Sequence, residues 1–246
     1  SSDVCSSDLW SAVKKYVKDQ KPEVIVVGGD FVDLPMYSKY PQEGTSEVSG
    51  IPHIAQFSKE LSWLSAQCGE MHIIEGNHEE RWEKLLKDKA RELHGAKGMS
   101  LKEQFAIHGL PISTKANPTS IHWHKESAHA RDLNLFGITF RHGHNQSLGS
   151  ADLAHRALSR HRAGSVVFGH HHRAQLFAHT SQGITHYAVA NPCLTNDHNY
   201  CKDPNWQTGF TVFSAFKGRK RQYIATPNLV LIQEGKFVTN NKLYVG

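Results

Sequence analysis

Apolar positions along the chain follow two periods. Trp10, Val13 and Val17 recur at helical spacing with Lys14, Lys15 and Lys18 between them, which predicts an amphipathic helix ending before Lys21-Pro22. EVIVVGG at 23–29 is a β-branched run closed by glycines, the pattern of a parallel strand covered on both faces. Ile54, Phe57, Leu61, Leu64 and Cys68 return to spacings of three and four, a second helix. MHII at 71–74 reads as a short strand, and a charged helix runs from Glu79 to Leu93. LFGITFRHG at 135–143 reads as one strand ending at His142, Ala151 to Arg162 as a helix, and SVVFG at 165–169 as a strand. The remainder to Gly246 is β-rich, with turns at Gln182-Gly183, Lys217-Gly218 and Glu234-Gly235. Residues 35–53, rich in proline and glycine, form a long connection of the kind that is usually functional. The stretch 95–123 is the least readable and is a candidate for an inserted cap.

Strands alternating with helices in the first two thirds, then meandering strands, predict two sheets packed face to face with helices outside, in a single domain over 10–246. Ligands in such folds gather beyond the carboxyl ends of the strands. SSDVCSSDL at 1–9 is set apart: it is polar, repeats SSD and carries no period. It resembles a translated sequencing adapter, so it is expected to be a non-native scar, with the genuine chain resuming near Trp10. Asp8-Leu9-Trp10 then only imitates an Asp-x-His metal pair, since Val4 and Cys5 cannot supply the strand such a pair follows.

Composition narrows the classes. The 246 residues are 39% hydrophobic and 21% charged, as in soluble globular proteins, and the longest apolar runs are strand-sized, which argues against a membrane protein. A net charge of +5 suits an anionic substrate without demanding nucleic acid. The basic runs HRALSRHR at 155–162 and KGRKRQ at 217–222 lack aromatic interleaving and read as solvated faces, so nucleic-acid binding is not favoured. Four cysteines without a CxxC pairing fit a reducing, cytoplasmic setting. The 18 histidines are the unusual item.

Several of those histidines fall in four ordered blocks, each just past an apolar run: GGDFVD at 28–33, EGNHEER at 75–81, RHGH at 141–144 and GHHH at 169–172. Carboxylate, amide oxygen and imidazole nitrogen are the donors that hard and borderline divalent cations accept. The series Gly29-Asp30-x-x-Asp33, Gly76-Asn77-His78-Glu79, His142-Gly143 and Gly169-His170-x-His172 resembles the calcineurin-like metallophosphoesterase family, of phage and bacterial type, over most of residues 20–175. DPNWQTGF at 203–210 is also similar to uncharacterised phage and bacterial members.

The resemblance implies a four-layer α/β/β/α sandwich with its first strand missing from this chain, and two divalent metal ions, manganese, iron or zinc. It implies hydrolysis of phosphate mono- or diesters by attack of a metal-bound hydroxide. Asp30 would bridge the two ions, Asn77, His142 and His170 would complete the second site, and His172 would bind the first. His78 would meet the phosphate and protonate the leaving oxygen, with Asp33 orienting its ring. The alternation His170-x-His172 suits an extended loop, where residues two apart point the same way. Arg81 and His144 are candidate phosphate contacts, His171 is expected to point away, and Glu75 and Glu79 read as charge balance at a helix start.

This sequence departs from the family at its beginning, where an Asp-x-His should supply two ligands to the first ion; without it, that ion is expected to bind poorly and activity to be low. Three other readings stand beside the phosphoesterase: a nuclease, a non-catalytic scaffold or accessory subunit of the same fold, and a zinc-storage or structural-zinc protein. Trp206, Tyr200 and Phe210 fit either a substrate pocket or packing of the second sheet.

Overall fold

A computed structural model of the chain describes residues 7–38, 50–114, 119–125, 132–144, 152–161, 164–195, 205–218 and 223–246. Among the residues singled out above, Val4, Cys5, Ala151, Arg162, Tyr200, Cys201 and residues 39–49, 115–118, 203–204 and 219–222 lie outside them. The chain divides into two compact units, one of residues 20–126 and one in which helix α1 up to Asp19 joins residues 127–246.

Helix α1 (Ser7–Gln20) starts one turn earlier than its Trp10-Val13-Val17 stripe suggested. Its buried face is Leu9, Ala12, Val13, Tyr16 and Val17, with Leu9 and Ala12 fully covered, so part of the expected scar belongs to the helix core. Trp10 lies at the edge of that face, under the Lys14 ammonium 5.5 Å from its ring. Tyr16 packs its ring against Phe210, Phe237 and Tyr244 of the same unit at 5.2–5.8 Å. Phe210 therefore serves packing.

The first unit is built on a three-stranded parallel sheet, β1 (Val24–Val27), β2 (Glu70–Ile74) and β3 (Ile121–His124), in that order, with Val24 opposite Glu70 and Met71 opposite Ile121. β2, the middle strand, is buried from Met71 to Ile74. β1 was expected to be covered on both faces; all four of its residues are half-buried, because it forms the edge of the sheet among the described residues. Helix α2 (Ile51–Ser65) buries Ile54, Leu61 and Leu64 and stops before Cys68, and α3 (Glu80–Lys89) runs into a 3-10 turn at Arg91–Leu93.

The stretch 95–123, expected as a cap, holds helix α4 (Leu101–Ile107), which packs on α2, and most of β3. The signal for α4 was Ser100-x-x-Glu103. The Ser100 hydroxyl accepts from Glu103 N at 3.3 Å while the Glu103 carboxylate accepts from Ser100 N at 3.1 Å, a complete capping box. Ser100→Ala is expected to cost about 1 kcal/mol, read as a lower urea midpoint with unchanged slope.

In the second unit the mixed five-stranded sheet has the order β4 (Leu133–Leu135), β5 (Ile138–Arg141), β6 (Ser165–Phe168), β8 (Ile184–Ala190) and β7 (Gln175–Ser181). The single strand expected at 135–143 is a hairpin. Phe136 and Gly137 have φ of 52° and 75°, the two left-handed residues of a type I′ turn, and β4 pairs antiparallel with β5. Helix α5 (Leu153–Arg160) buries Leu153, Ala154 and Ala157 against Val166, Phe168, Ala188 and Ala190, and turns Arg156 and Arg160 to solvent. Two antiparallel ribbons complete the unit, β9 (Gly209–Lys217) with β10 (Tyr223–Leu231), and β11 (Lys236–Thr239) with β12 (Lys242–Val245). Among the described residues no helix is long and apolar enough to cross a membrane.

Candidate metal centre

In the first unit the loop after β1 turns sharply through Gly29 and Asp30, with φ of 94° and 53°. Aspartate tolerates the left-handed region better than most residues, and the turn lets Asp30 reach the loop after β2. Asp30 Oδ1 accepts from the backbone N–H of His78 at 2.9 Å. The His78 ring lies between two carboxylates: Nδ1 is 3.2 Å from Asp33 Oδ1, and Nε2 faces Asp30 Oδ2 at 3.9 Å. Arg81 closes the group, donating from its guanidinium to Asp33 Oδ1 at 2.7 Å. Burial pushes the Asp33 carboxyl up, but the His78 ring and the Arg81 guanidinium outweigh it and hold its pKa below the usual value. The structure thus brings Asp30, Asp33, His78 and Arg81 together, and Asn77 sits in the same loop.

Glu79 has a larger role than charge balance. It is 1% exposed, and its two oxygens accept three backbone N–H groups: Val32 at 3.0 Å on one, Asp30 at 2.9 Å and Gly76 at 2.6 Å on the other. One carboxylate thereby ties the loop after β1 to the loop after β2. Burial and then the neighbouring Asp30 carboxylate raise its pKa to about 7, against the pull of the three donors. Glu75 is also buried, accepting from the Trp123 indole at 2.6 Å. Trp123, Phe105 and Phe31 form an aromatic triangle with centroids 5.5–5.7 Å apart, so Phe31, the residue after Asp30, anchors that loop to α4 and β3. The partners of Phe31 lie far away in sequence, so GGDFVD alone does not reveal this anchor.

In the second unit β5 and β6 run parallel, and both carboxyl ends deliver histidines. His142 follows β5 directly and is 1% exposed; its carbonyl accepts from Gly169 N at 3.0 Å, joining the two loops. Gly143 has φ of 95°, and a Cβ there would meet Phe168 Cβ at 3.2 Å, so this close approach requires glycine. The His142 ring lies 5.2 Å from His170 and 5.4 Å from His144, centroid to centroid. The loop carrying His170 and His172 was expected to be extended. Instead His170 and His172 have φ of 64° and 55°, and His171 N bonds to Gly169 O at 2.7 Å, making a compact turn with two left-handed residues.

His171 stacks edge-on against Phe168 at 6.0 Å, and its Nε2 is buried with no hydrogen-bond partner among the described residues. Burial, then His142 and Arg173, lower its pKa. The His172 ring meets the edge of Trp206 at 4.9 Å, and Gln207 clamps the loop exit by donating from its backbone N to His172 O at 2.9 Å and accepting from Ala174 N at 3.0 Å on its side chain. Trp206 and Gln207 are thus supports for the histidine loop, and the NWQ of the DPNWQTGF run was their only sequence signal.

A family model described as calcineurin-like phosphoesterase matches residues 2–174. The chain belongs to the calcineurin-like phosphoesterases. It is similar to the Gene 54 protein of Mycobacterium phage L5, 25% identical over 260 residues that take in 95% of this chain and 91% of that protein. Among solved structures it is similar to the crystal structure of a Vps29 single mutant from Entamoeba histolytica, at 15% identity and a TM-score of 0.35, covering 85% of this chain and 99% of that one. A calcineurin-like phosphoesterase binds divalent metal, and the donor chemistry here fits. The first unit offers a carboxylate and an amide at loops fixed by buried hydrogen bonds, and the second offers imidazoles grouped at 5.2–6.1 Å, one of them almost fully buried.

Proposed function

We propose that the chain is a dinuclear metal-dependent phosphoesterase acting on phosphate mono- or diesters. The observation that carries this reading is His78 held at Nδ1 by Asp33, with Nε2 turned toward Asp30. A ring fixed that way presents one nitrogen, Nε2, for handing a proton to a leaving oxygen beside the carboxylate that would bridge the metals. Asp30, Asn77, His142 and His170 would hold one ion, and Asp30 with His172 would serve the other. When bound, two divalent cations of the manganese, iron or zinc class would neutralise charge on the phosphoryl oxygens and supply an ionised water at neutral pH. Arg81, kept in place by Asp33, and His144, beside His142 and His170, would meet the remaining phosphate oxygens. The 246 residues contain no Asp-x-His pair, so the ion relying on Asp30 and His172 would bind more weakly than its neighbour. A cytoplasmic setting is the one that the four cysteines without a CxxC pairing suit.

The test is hydrolysis of p-nitrophenyl phosphate, bis(p-nitrophenyl) phosphate and single-stranded DNA by the protein supplied with manganese. Turnover of at least one is expected, reduced on the order of 10²–10⁴-fold in His78→Ala. Inertness toward all three would favour the scaffold reading, and an unaltered rate in His78→Ala would remove the histidine from the chemistry.

A further inference from the structure

Helix α3 of the first unit links the loop carrying His78 to a basic cleft. It begins at Glu80, just past His78, and carries Arg81 in its first turn. At its other end opens a cleft of about 850 Å³ lined by Lys87, Asp88, Lys89, Arg91 and His94, all of them exposed. Three permanent cations and an imidazole there face a single carboxylate. The alternating signs of KLLKDKARELH at 84–94 conceal this grouping in the sequence.

Helix electrostatics accounts for only part of it. Lys87 and Lys89 occupy the last turn of α3, where cations compensate the dipole of the free carbonyls. Arg91 and His94 stand beyond the helix. Arg91 opens the 3-10 turn, and His94 follows it with its backbone N–H donating to Arg91 O at 3.2 Å, so the turn folds two more basic groups back to the helix end. Neighbouring carboxylates on the helix are engaged along its length: Glu80 accepts from Lys84 at 2.6 Å, and Glu83 is held by Lys125 as well as by Lys87 at 3.7 Å. Among the described residues no carboxylate oxygen lies within 4.0 Å of the Lys89 ammonium or the Arg91 guanidinium.

Spacing ties the cleft to the candidate metal centre. Arg81, Lys84 and Lys87 recur every third residue, which makes them successive neighbours on the helix surface. Lys89 stands eight residues beyond Arg81, about 12 Å along the axis at a rise of about 1.5 Å per residue. A small phosphate ester seated at Arg81 does not reach that far. A nucleic-acid strand carries one phosphate for about every 3.4 Å of its axis, so about three or four phosphates cover the interval. We propose that this cleft binds the phosphate backbone of a single nucleic-acid strand, one of whose diesters occupies the site beside Arg81. The proposal rests on the phosphoesterase reading and names its substrate class. No Phe, Tyr or Trp ring lines the cleft among the described residues, so its contacts are to phosphates and tolerate any base sequence.

The test is fluorescence anisotropy with an end-labelled phosphorothioate oligothymidylate of about ten nucleotides, a strand that keeps its charge but resists cleavage, in the presence of manganese. The full chain is compared with Lys89→Gln/Arg91→Gln and with Lys59→Gln/Lys236→Gln, which removes the same charge at exposed positions elsewhere. Circular dichroism confirms the fold of each. The cleft variant is expected to bind at least about tenfold more weakly than the wild type, with the slope of log affinity against log salt reduced by about 1.4, about 0.7 for each lost phosphate contact. The control variant should stay within about threefold of the wild type, and bis(p-nitrophenyl) phosphate hydrolysis should be the same in all three proteins. Equal binding by wild type and cleft variant, an equal loss in the control variant, or a dinucleotide bound as tightly as the longer strand overturns the proposal. So does sedimentation with phosphatidylglycerol vesicles that needs Lys89 and Arg91 while the strand goes unbound. Strand binding that depends on Lys89 and Arg91 in a protein inert toward every ester supports the cleft and counts against the phosphoesterase reading alone.

Discussion

Asp30→Asn is expected to lower ester hydrolysis on the order of 10³-fold and to release metal, while leaving the fold intact. The substitution is chosen for what it retains. Asparagine keeps an oxygen for the His78 backbone N–H, which Asp30 Oδ1 now accepts at 2.9 Å. It also tolerates the left-handed backbone at φ 53°. What it loses is the negative charge and the second ligating oxygen, which are the properties a bridging role between two cations requires. Metal content by elemental analysis should fall in step with the rate, whereas the thermal midpoint should shift by no more than a few degrees. A variant that retains both its metal and its rate to within about threefold would show that Asp30 is not a bridging ligand.

Glu79→Ala is expected to produce the largest loss of stability among single substitutions near the site, about 4 kcal/mol. Three backbone donors, on Asp30, Val32 and Gly76, would lose a buried acceptor, and an unsatisfied buried donor costs about 1–3 kcal/mol. Glu79→Gln should fall between, at about 2 kcal/mol. Its amide nitrogen must face a donor on one side or the other, since both carboxylate oxygens of Glu79 are acceptors in the native structure. Urea unfolding measures both variants, and a loss below about 1 kcal/mol for the alanine variant would mean that water replaces the carboxylate. Activity should fall in the glutamine variant even where it is folded, because Asp30 and Asn77 are carried by the two loops that Glu79 joins.

Much of the fold was legible where a local pattern decides the outcome. The β-branched run at Val24–Val27 and the spacing of Ile54, Leu61 and Leu64 each fix an element without help from distant residues. The hairpin at Phe136-Gly137 was not, because apolar residues flank it on both sides and phenylalanine is a rare choice at a left-handed turn position. Helix α4 was announced by Ser100-x-x-Glu103, a signal short enough to be passed over in a stretch of weak periodicity. At the site, Asp33 beside His78 is what the resemblance to the family implied. The role of Glu79 could not be read that way, since its partners Asp30 and Val32 stand 49 and 47 residues away and leave no mark on its own neighbours. The same holds for Trp206 against His172.

The compact GHHH turn bears on how its histidines should be dissected. With φ of 64° and 55°, His170 and His172 occupy backbone that alanine accepts poorly, at about 1 kcal/mol each. An alanine scan there would therefore confound two losses, the imidazole and the turn itself, and would overstate both residues. Asparagine and glycine, which enter that region readily, form the cleaner pair of probes: where the two agree, the deficit belongs to the missing ring, and where they diverge, it belongs to the chain that carried it.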